Sequence, residues 1–364
     1  RLWLTEDCRA SLLSHLDRTT LADFRLACHD FSARAAPYLF DEITAKFQSS
    51  TFARPARLGA LERIGQHVKT FTFSMPHTAE MLLPPLINPV TGQQQDFVYT
   101  PQVHKPATLI GKVKEPKYGS WEMTDMLIRQ YPPLFHAATN IPSFIRALEH
   151  IPNLEHLKIS CPDADLAQRY RRSIVDYALI SLRIAVERAP LHYLESVSLV
   201  NIHPSGLLYL QPLHGFGSTP GTLRRWSQIR KLIIRMDTFP PELNDTHTEH
   251  LKLLHSYLRS FARQLTDLAF HWNGNKGPNP LSLETEPCFA NKKMAAHPPP
   301  TSSTFLQPLN FPALTNLTLQ NIVTSSNSIS SFLSRHKHTL ADLSLDDINL
   351  ATGTWDDALE PLTR

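Results

Sequence analysis

An apolar triplet at positions one, four and six constrains this chain more than any other feature. It recurs seven times, as Val68/Phe71/Phe73, Leu154/Leu157/Ile159, Leu194/Val197/Leu199, Ile229/Leu232/Ile234, Leu265/Leu268/Phe270, Leu314/Leu317/Leu319 and Leu340/Leu343/Leu345. Residues two apart share one face of a strand, so positions four and six together describe a short strand with one buried side. Three triplets continue to a further apolar residue three positions on, at Ile202, Ile322 and Ile348. A strand this short cannot bury its face alone, so the repetition predicts stacked neighbours.

The triplet is the strand signature of a leucine-rich repeat. From Leu154 onward the spacings are 40, 35, 36, 49 and 26 residues, and only the last lies within the usual range of about 20 to 29. The extra length has to hold helices or loops. Between the second and third strands, Asp163 to Ala189 carries Leu166, Tyr170, Ile174, Ala178, Leu182 and Val186 at four-residue spacing, the period of an amphipathic helix. Further helices are expected at about Thr248 to Arg263 and Ser328 to Lys337, each leading into the next strand. The predicted fold is α/β, an irregular leucine-rich-repeat solenoid with parallel strands and helices on its outer face, spanning 48–364.

Two stretches break the repeat. Residues 76–142 hold ten of the 29 prolines, a turn-like Pro89-Val90-Thr91-Gly92 and one plausible helix near Trp121 to Tyr131. Residues 271–308 hold seven more, including Pro298-Pro299-Pro300. Both read as insertions, the second as a polar surface loop. The first is expected to pack, because Phe97, Tyr99, Trp121, Met123 and Met126 are too apolar for a free linker.

Residues 1–47 change period. Cys8, Leu12 and Leu16, then Leu21, Phe24, Cys28 and Phe31, recur at three or four and predict a small all-helical unit preceding the solenoid. Thr20 is expected to cap the second helix and Asp30 to start a third. So short a bundle buries little, and part of its apolar surface is expected to await a partner or the following domain.

Composition excludes several classes. Lys plus Arg at 36 against Asp plus Glu at 33 gives a formal charge of +3, no field for nucleic acid. The basic clusters Arg169/Arg171/Arg172, Arg224/Arg225 and Lys292/Lys293 lack interleaved aromatics and read as solvated faces. The longest apolar-rich stretch, Ile174 to Val186, is broken by Asp176 and Arg183, so no membrane span is expected. Cys8, Cys28, Cys161 and Cys288 form no close pair, which fits an intracellular, reducing compartment, cytoplasmic or nuclear, and no zinc site. His247/His250 and His336/His338 lack the spacing and third ligand of a metal centre. Gly215-Phe216-Gly217 with Gly221 is interrupted by Pro220 and does not read as a phosphate loop; no nucleophile elbow is present. No catalytic residue, metal or cofactor is expected.

The stretch Leu4-Thr5-Glu6-Asp7-Cys8, Leu12-Leu13-Ser14-His15-Leu16-Asp17 and Leu21-Ala22-Asp23-Phe24-Arg25-Leu26-Ala27-Cys28-His29-Asp30-Phe31 resembles an F-box, over about an eighth of the chain. With Ile202-His203-Pro204, Arg224-Arg225-Trp226 and Trp355 near Leu359, the whole is similar to fungal F-box proteins with irregular leucine-rich repeats. Where the family has a Leu-Pro opening, an Ile and a capping Asp, this chain has Thr5, Cys8 and Thr20. The resemblance implies a non-catalytic substrate-recognition adaptor of a Skp-cullin-F-box ubiquitin ligase, acting in protein ubiquitination. Its partners would be a Skp-type adaptor with its cullin-RING core and an unknown protein target. A repeat-domain scaffold outside the ligase is the alternative.

The adaptor-binding residues expected are Leu4, Thr5, Cys8, Leu12, Leu16, Leu21 and Cys28. For the target, strand alternation turns Lys158, Lys231, Arg235, Asp267, His271, Asp342 and Asp346 onto the concave face, basic early and acidic late. Binding through the loops at 76–142 or 271–308 is an equal alternative.

Overall fold

The structure, a computed structural model, describes residues 5–101, 116–163, 172–212, 222–238, 244–282 and 308–363, with side chains of 244–249 left aside. Leu4, the Gly215 to Gly221 run, Arg169, Arg171, Lys292, Lys293 and Cys288 lie outside the described residues. So do Leu166 and Tyr170. The chain divides into two compact units: Arg1–Met75 with Pro84–Lys158 and Ile184–Leu194, and Pro76–Leu83 with Ile159–Arg183 and Glu195–Arg364.

The first unit opens with α1 (Glu6–Ser14), α2 (Arg18–Ala27) and α3 (His29–Leu39). Glu6 and Asp7 place acid in the first turn of α1, complementing the helix dipole. Asp17, not Thr20, caps α2: its carboxylate accepts from the Thr20 amide at 2.7 Å and the Thr19 hydroxyl at 2.9 Å. These bonds hold the Asp17 carboxyl below the usual carboxylate range. Asp17 precedes the first helical residue, where an acceptor meets orphan amides, whereas Thr20 is already inside the turn. Asp30 lies in the first turn of α3, which starts after Cys28, and pairs with Arg34 at 2.7 Å. Leu13, Leu21, Ala35 and Leu39 form the bundle core, and Phe24 stacks on Phe31 at 4.3 Å.

Strand β1 (Glu42–Lys46) follows directly and pairs in parallel with β2 (Thr70–Ser74), Ile43 opposite Phe71 and Ala45 opposite Phe73. An eighth triplet, Phe40/Ile43/Ala45, therefore precedes the seven read from the sequence, 28 residues before Val68. Arg18 ties the bundle to it, donating to the carbonyls of Leu39 and Glu42. Between them lies α4 (Pro55–Ile64). The proline-rich segment holds the hairpin β3 (Leu86–Ile87) and β4 (Gln94–Gln95) around Asn88, whose side chain accepts from the Val90 and Thr91 amides, with Gly92 at φ +69°. It continues through α5 (Trp121–Gln130), α6 (Pro133–Ala138) and α7 (Ile141–Glu149) to β5 (His156–Ser160). It packs, as its apolar content requires. Tyr99 and Met126 are buried and Tyr99 donates to the Thr139 carbonyl at 3.0 Å, while Val90, Val98, Trp121 and Ile128 stay exposed.

Helix α8 (Ile174–Arg188) is buried nearly all round, including Arg183, whose Nε donates to the Tyr209 carbonyl. The second unit then runs β6 (Ser196–Val200), α9 (Leu207–Leu210), α10 (Thr222–Trp226), β7 (Lys231–Asp237), α11 (Asn244–Phe261), β8 (Asp267–Asn273) and β9 (Gly277–Pro278). It ends with β10 (Asn316–Gln320), β11 (Ile322–Ser325), α12 (Ser326–His336), β12 (Asp342–Asp346), β13 (Asn349–Thr352) and α13 (Trp355–Thr363).

Among the described residues the main parallel sheet has eight strands in the order β1-β2-β5-β6-β7-β8-β10-β12, and β13-β11-β9 form a smaller parallel sheet. All seven expected strands are present, and the helices before β8 and β12 lie within one to four residues of their expected ends. Positions four and six are buried in every strand from β2 to β10, and half-buried on β12. A left-handed residue follows β6, β10 and β12: Asn201 at φ 52°, Asn321 at 61° and Asp347 at 52°. Asn and Asp tolerate this conformation better than other side-chain-bearing residues. Asn321 also donates through Nδ2 to the carbonyls of Trp272, Gly274 and Asn275 at 2.8, 2.9 and 3.2 Å, satisfying a buried turn.

Candidate interaction surfaces

In the second unit the main-sheet strands β6, β7, β8, β10 and β12 align without slip. Val197, Leu232, Leu268, Leu317 and Leu343 oppose one another, as do their neighbours. The polar side of the sheet therefore carries three straight rows. Ser196, Lys231, Asp267, Asn316 and Asp342 form the first; Ser198, Ile233, Ala269, Thr318 and Ser344 the second; Val200, Arg235, His271, Gln320 and Asp346 the third.

Six of the seven expected target residues, Lys231, Arg235, Asp267, His271, Asp342 and Asp346, thus share one face of this unit. Lys158 sits half-buried on β5, in the first unit. Lys231 and Arg235 are exposed and make no ion pair among the described residues. Asp267 is engaged: Oδ1 accepts from Asn316 at 2.6 Å and Oδ2 from Thr266 at 2.7 Å. Asp346 accepts from Gln320 at 2.8 Å, and Lys276 pairs with Asp347 beside it. His271 has a buried Nδ1 without a hydrogen-bond partner among the described residues. The face runs from two available cations on β7 to a carboxylate-rich edge on β12.

The segment beginning at His271 stays in the sheet before it leaves. β8 extends to Asn273, Trp272 is fully buried, and its Nε1 donates to the Pro278 carbonyl at 2.8 Å. Gly277 is required there, because a Cβ would lie 2.7 Å from the Trp272 ring.

On the bundle, Thr5, Cys8 and Leu12 lie at three- and four-residue spacing along one face of α1, and all three are exposed. Cys28 is exposed as well. Leu16 is half-buried against the bundle core, and Leu21 is 3% exposed within it. Two exposed apolar residues that the helical spacing did not single out join this surface count: Leu26 at 82% and Tyr38 at 36%. Exposure at these positions depends on which helices pack, and the residue types alone do not reveal it.

Among the described residues no three metal-ligating side chains gather. His336 is structural: Nδ1 donates to the Phe332 carbonyl at 2.8 Å, and Nε2 accepts from the Phe311 amide at 2.9 Å. Cys161 is buried, and desolvation followed by the charge of Asp176 pushes its thiol up to about 12. Arg225 binds Gln228 at 3.0 Å on α10. No described helix is long and apolar enough to cross a membrane. No protein-family model matches the chain, and no curated protein matches it in sequence.

Proposed function

We propose that this chain is the target-recognition subunit of a Skp-cullin-F-box ubiquitin ligase: α1 to α3 dock the Skp-type adaptor, and the polar face of the repeat sheet receives a protein target. One observation carries the docking half. The bundle core has four buried residues, yet Leu12 and Leu26 remain 51% and 82% exposed. Fully burying an exposed leucine gains about 1.5 to 3 kcal/mol, and the free chain leaves most of this at Leu26 and about half at Leu12 uncollected. The F-box-like sequence supplies the identity of the partner class.

The target half rests on the polar rows. Free cations on β7 and carboxylates on β12 suit an extended segment of opposite polarity, its acidic or phosphorylated part over Lys231 and Arg235. The protein supplies binding and proximity, and the transfer chemistry belongs to other subunits. A repeat scaffold without a ligase is the second reading, favoured by Thr5, which flanks α1 without any side-chain cap bond where the F-box pattern has proline.

Purified chain and a Skp-type adaptor test this directly. Leu12→Asp with Leu26→Asp should weaken capture by at least about tenfold; Leu16 and Leu21 are unsuitable because they hold the bundle together. Undiminished capture with intact helicity removes the docking surface from α1 and α2. No capture by the native chain favours the scaffold.

A further inference from the structure

The first unit contains a cleft of about 580 Å³ between α3 and the segment formed by α4 and the 3₁₀ turn Gly65–His67, with Arg25 of α2 at its margin. Its volume falls within the roughly 300 to 1,000 Å³ typical of small-molecule sites. Four basic side chains line it, Arg25, His29, Arg63 and His67, and among the described residues no carboxylate does. In a chain of nearly balanced charge, that is a local concentration of donors.

Arg25 is held in place. Its Nε donates to the Ser32 hydroxyl at 3.2 Å, and its guanidinium carbon lies 4.9 Å from the centre of the Phe40 ring. The cation–ring contact and one hydrogen bond hold the planar group while leaving further N–H donors for an acceptor. Arg63 is exposed and makes no ion pair among the described residues. Ala36, Phe40 and Ile64 give the same cleft an apolar wall.

We propose that this cleft binds a small phosphomonoester, with the phosphoryl group taken by Arg25 and Arg63 and a compact apolar body resting on the wall that includes Phe40. Guanidinium forks match phosphoryl oxygens, and a phosphoryl group offers more charge and more acceptors than a carboxylate to so many donors. This goes beyond adaptor and target binding and does not depend on either.

Calorimetric titration of the full chain with phenyl phosphate, inorganic phosphate and benzoate tests it. Phenyl phosphate should bind at least about tenfold more tightly than either of the others. Arg63→Glu should weaken it by a similar factor, and Arg63→Gln by less, with circular dichroism unchanged. Equal binding of benzoate or inorganic phosphate, or phenyl phosphate affinity within about twofold of native in Arg63→Glu, overturns the site. Tighter binding of a phosphoserine peptide than of phenyl phosphate overturns the small-molecule reading.

Discussion

The helical bundle and the central repeat strands close their apolar surfaces to different degrees. Strand β7 buries Leu232, Ile234 and Met236 completely and is paired on both sides. Helix α1 buries only Leu13 and leaves Leu12 half in water. A strand flanked by in-register neighbours finishes its core within the chain; a three-helix unit of this size does not, and its remaining surface is available to a partner. The closed core lies in the strands, while the bundle keeps the exposed apolar surface that the proposed adaptor docking would cover.

The largest expected effect lies in the strands. Leu232→Ala should destabilise the second unit by about 4 kcal/mol, because a fully enclosed side chain leaves a cavity that paired strands cannot collapse. Denaturant unfolding followed by tryptophan fluorescence measures it. A loss below about 1 kcal/mol would mean that the sheet is no better closed than the bundle.

Acid should act on the strands' helical cover. His255 is 3% exposed on α11, and burial, then Arg259, pushes its pKa down to about 4. Between the ordinary 6.5 and about 4 the unfolded chain binds more protons than the folded one, so this group's contribution is lost as pH falls through that window. The full contribution is on the order of 3 kcal/mol. Asp176, pushed up to about 7 by burial, works in the opposite sense between about 7 and its ordinary 3.8. His255→Leu should therefore make stability fall less, or rise more, on acidification below the ordinary 6.5 than it does in the native chain. An unchanged pH profile contradicts the burial of His255.

Two smaller losses sharpen the contrast. Asn321→Ala removes a donor shared by three carbonyls and puts alanine at φ 61°, and should cost about 2 kcal/mol in thermal unfolding. Asp17→Ala removes the cap of α2 and should have the smaller effect, read as lost helicity confined to the bundle. Equal global effects of both would erase the difference between the two regions.

The strands were legible because each needs two apolar residues at fixed spacing whatever the length of the connection between them. β1 escaped because Ala45 fills the sixth position, too small to stand out, although Phe40 and Ile43 mark the same frame. Alternation also predicted which charges face away from the core. It could not reveal that Asn316 occupies Asp267 while Lys231 stays available, since that contact depends on register across a spacing of 49 residues. The cap of α2 was misassigned by a single turn, between two residues able to accept. The basic cleft was invisible because its lining runs from Arg25 to His67 through helices whose packing the spacing does not encode.

Hydrogen exchange of the full chain, alone and with a Skp-type adaptor, tests the central contrast most directly. In the free chain the amides of α1 and α2 should exchange faster than those of β7 and β8, and adaptor should slow α1 and α2 while leaving β7 and β8 unchanged. Slower exchange in the bundle than in the strands, or adaptor present without protection there, would contradict it.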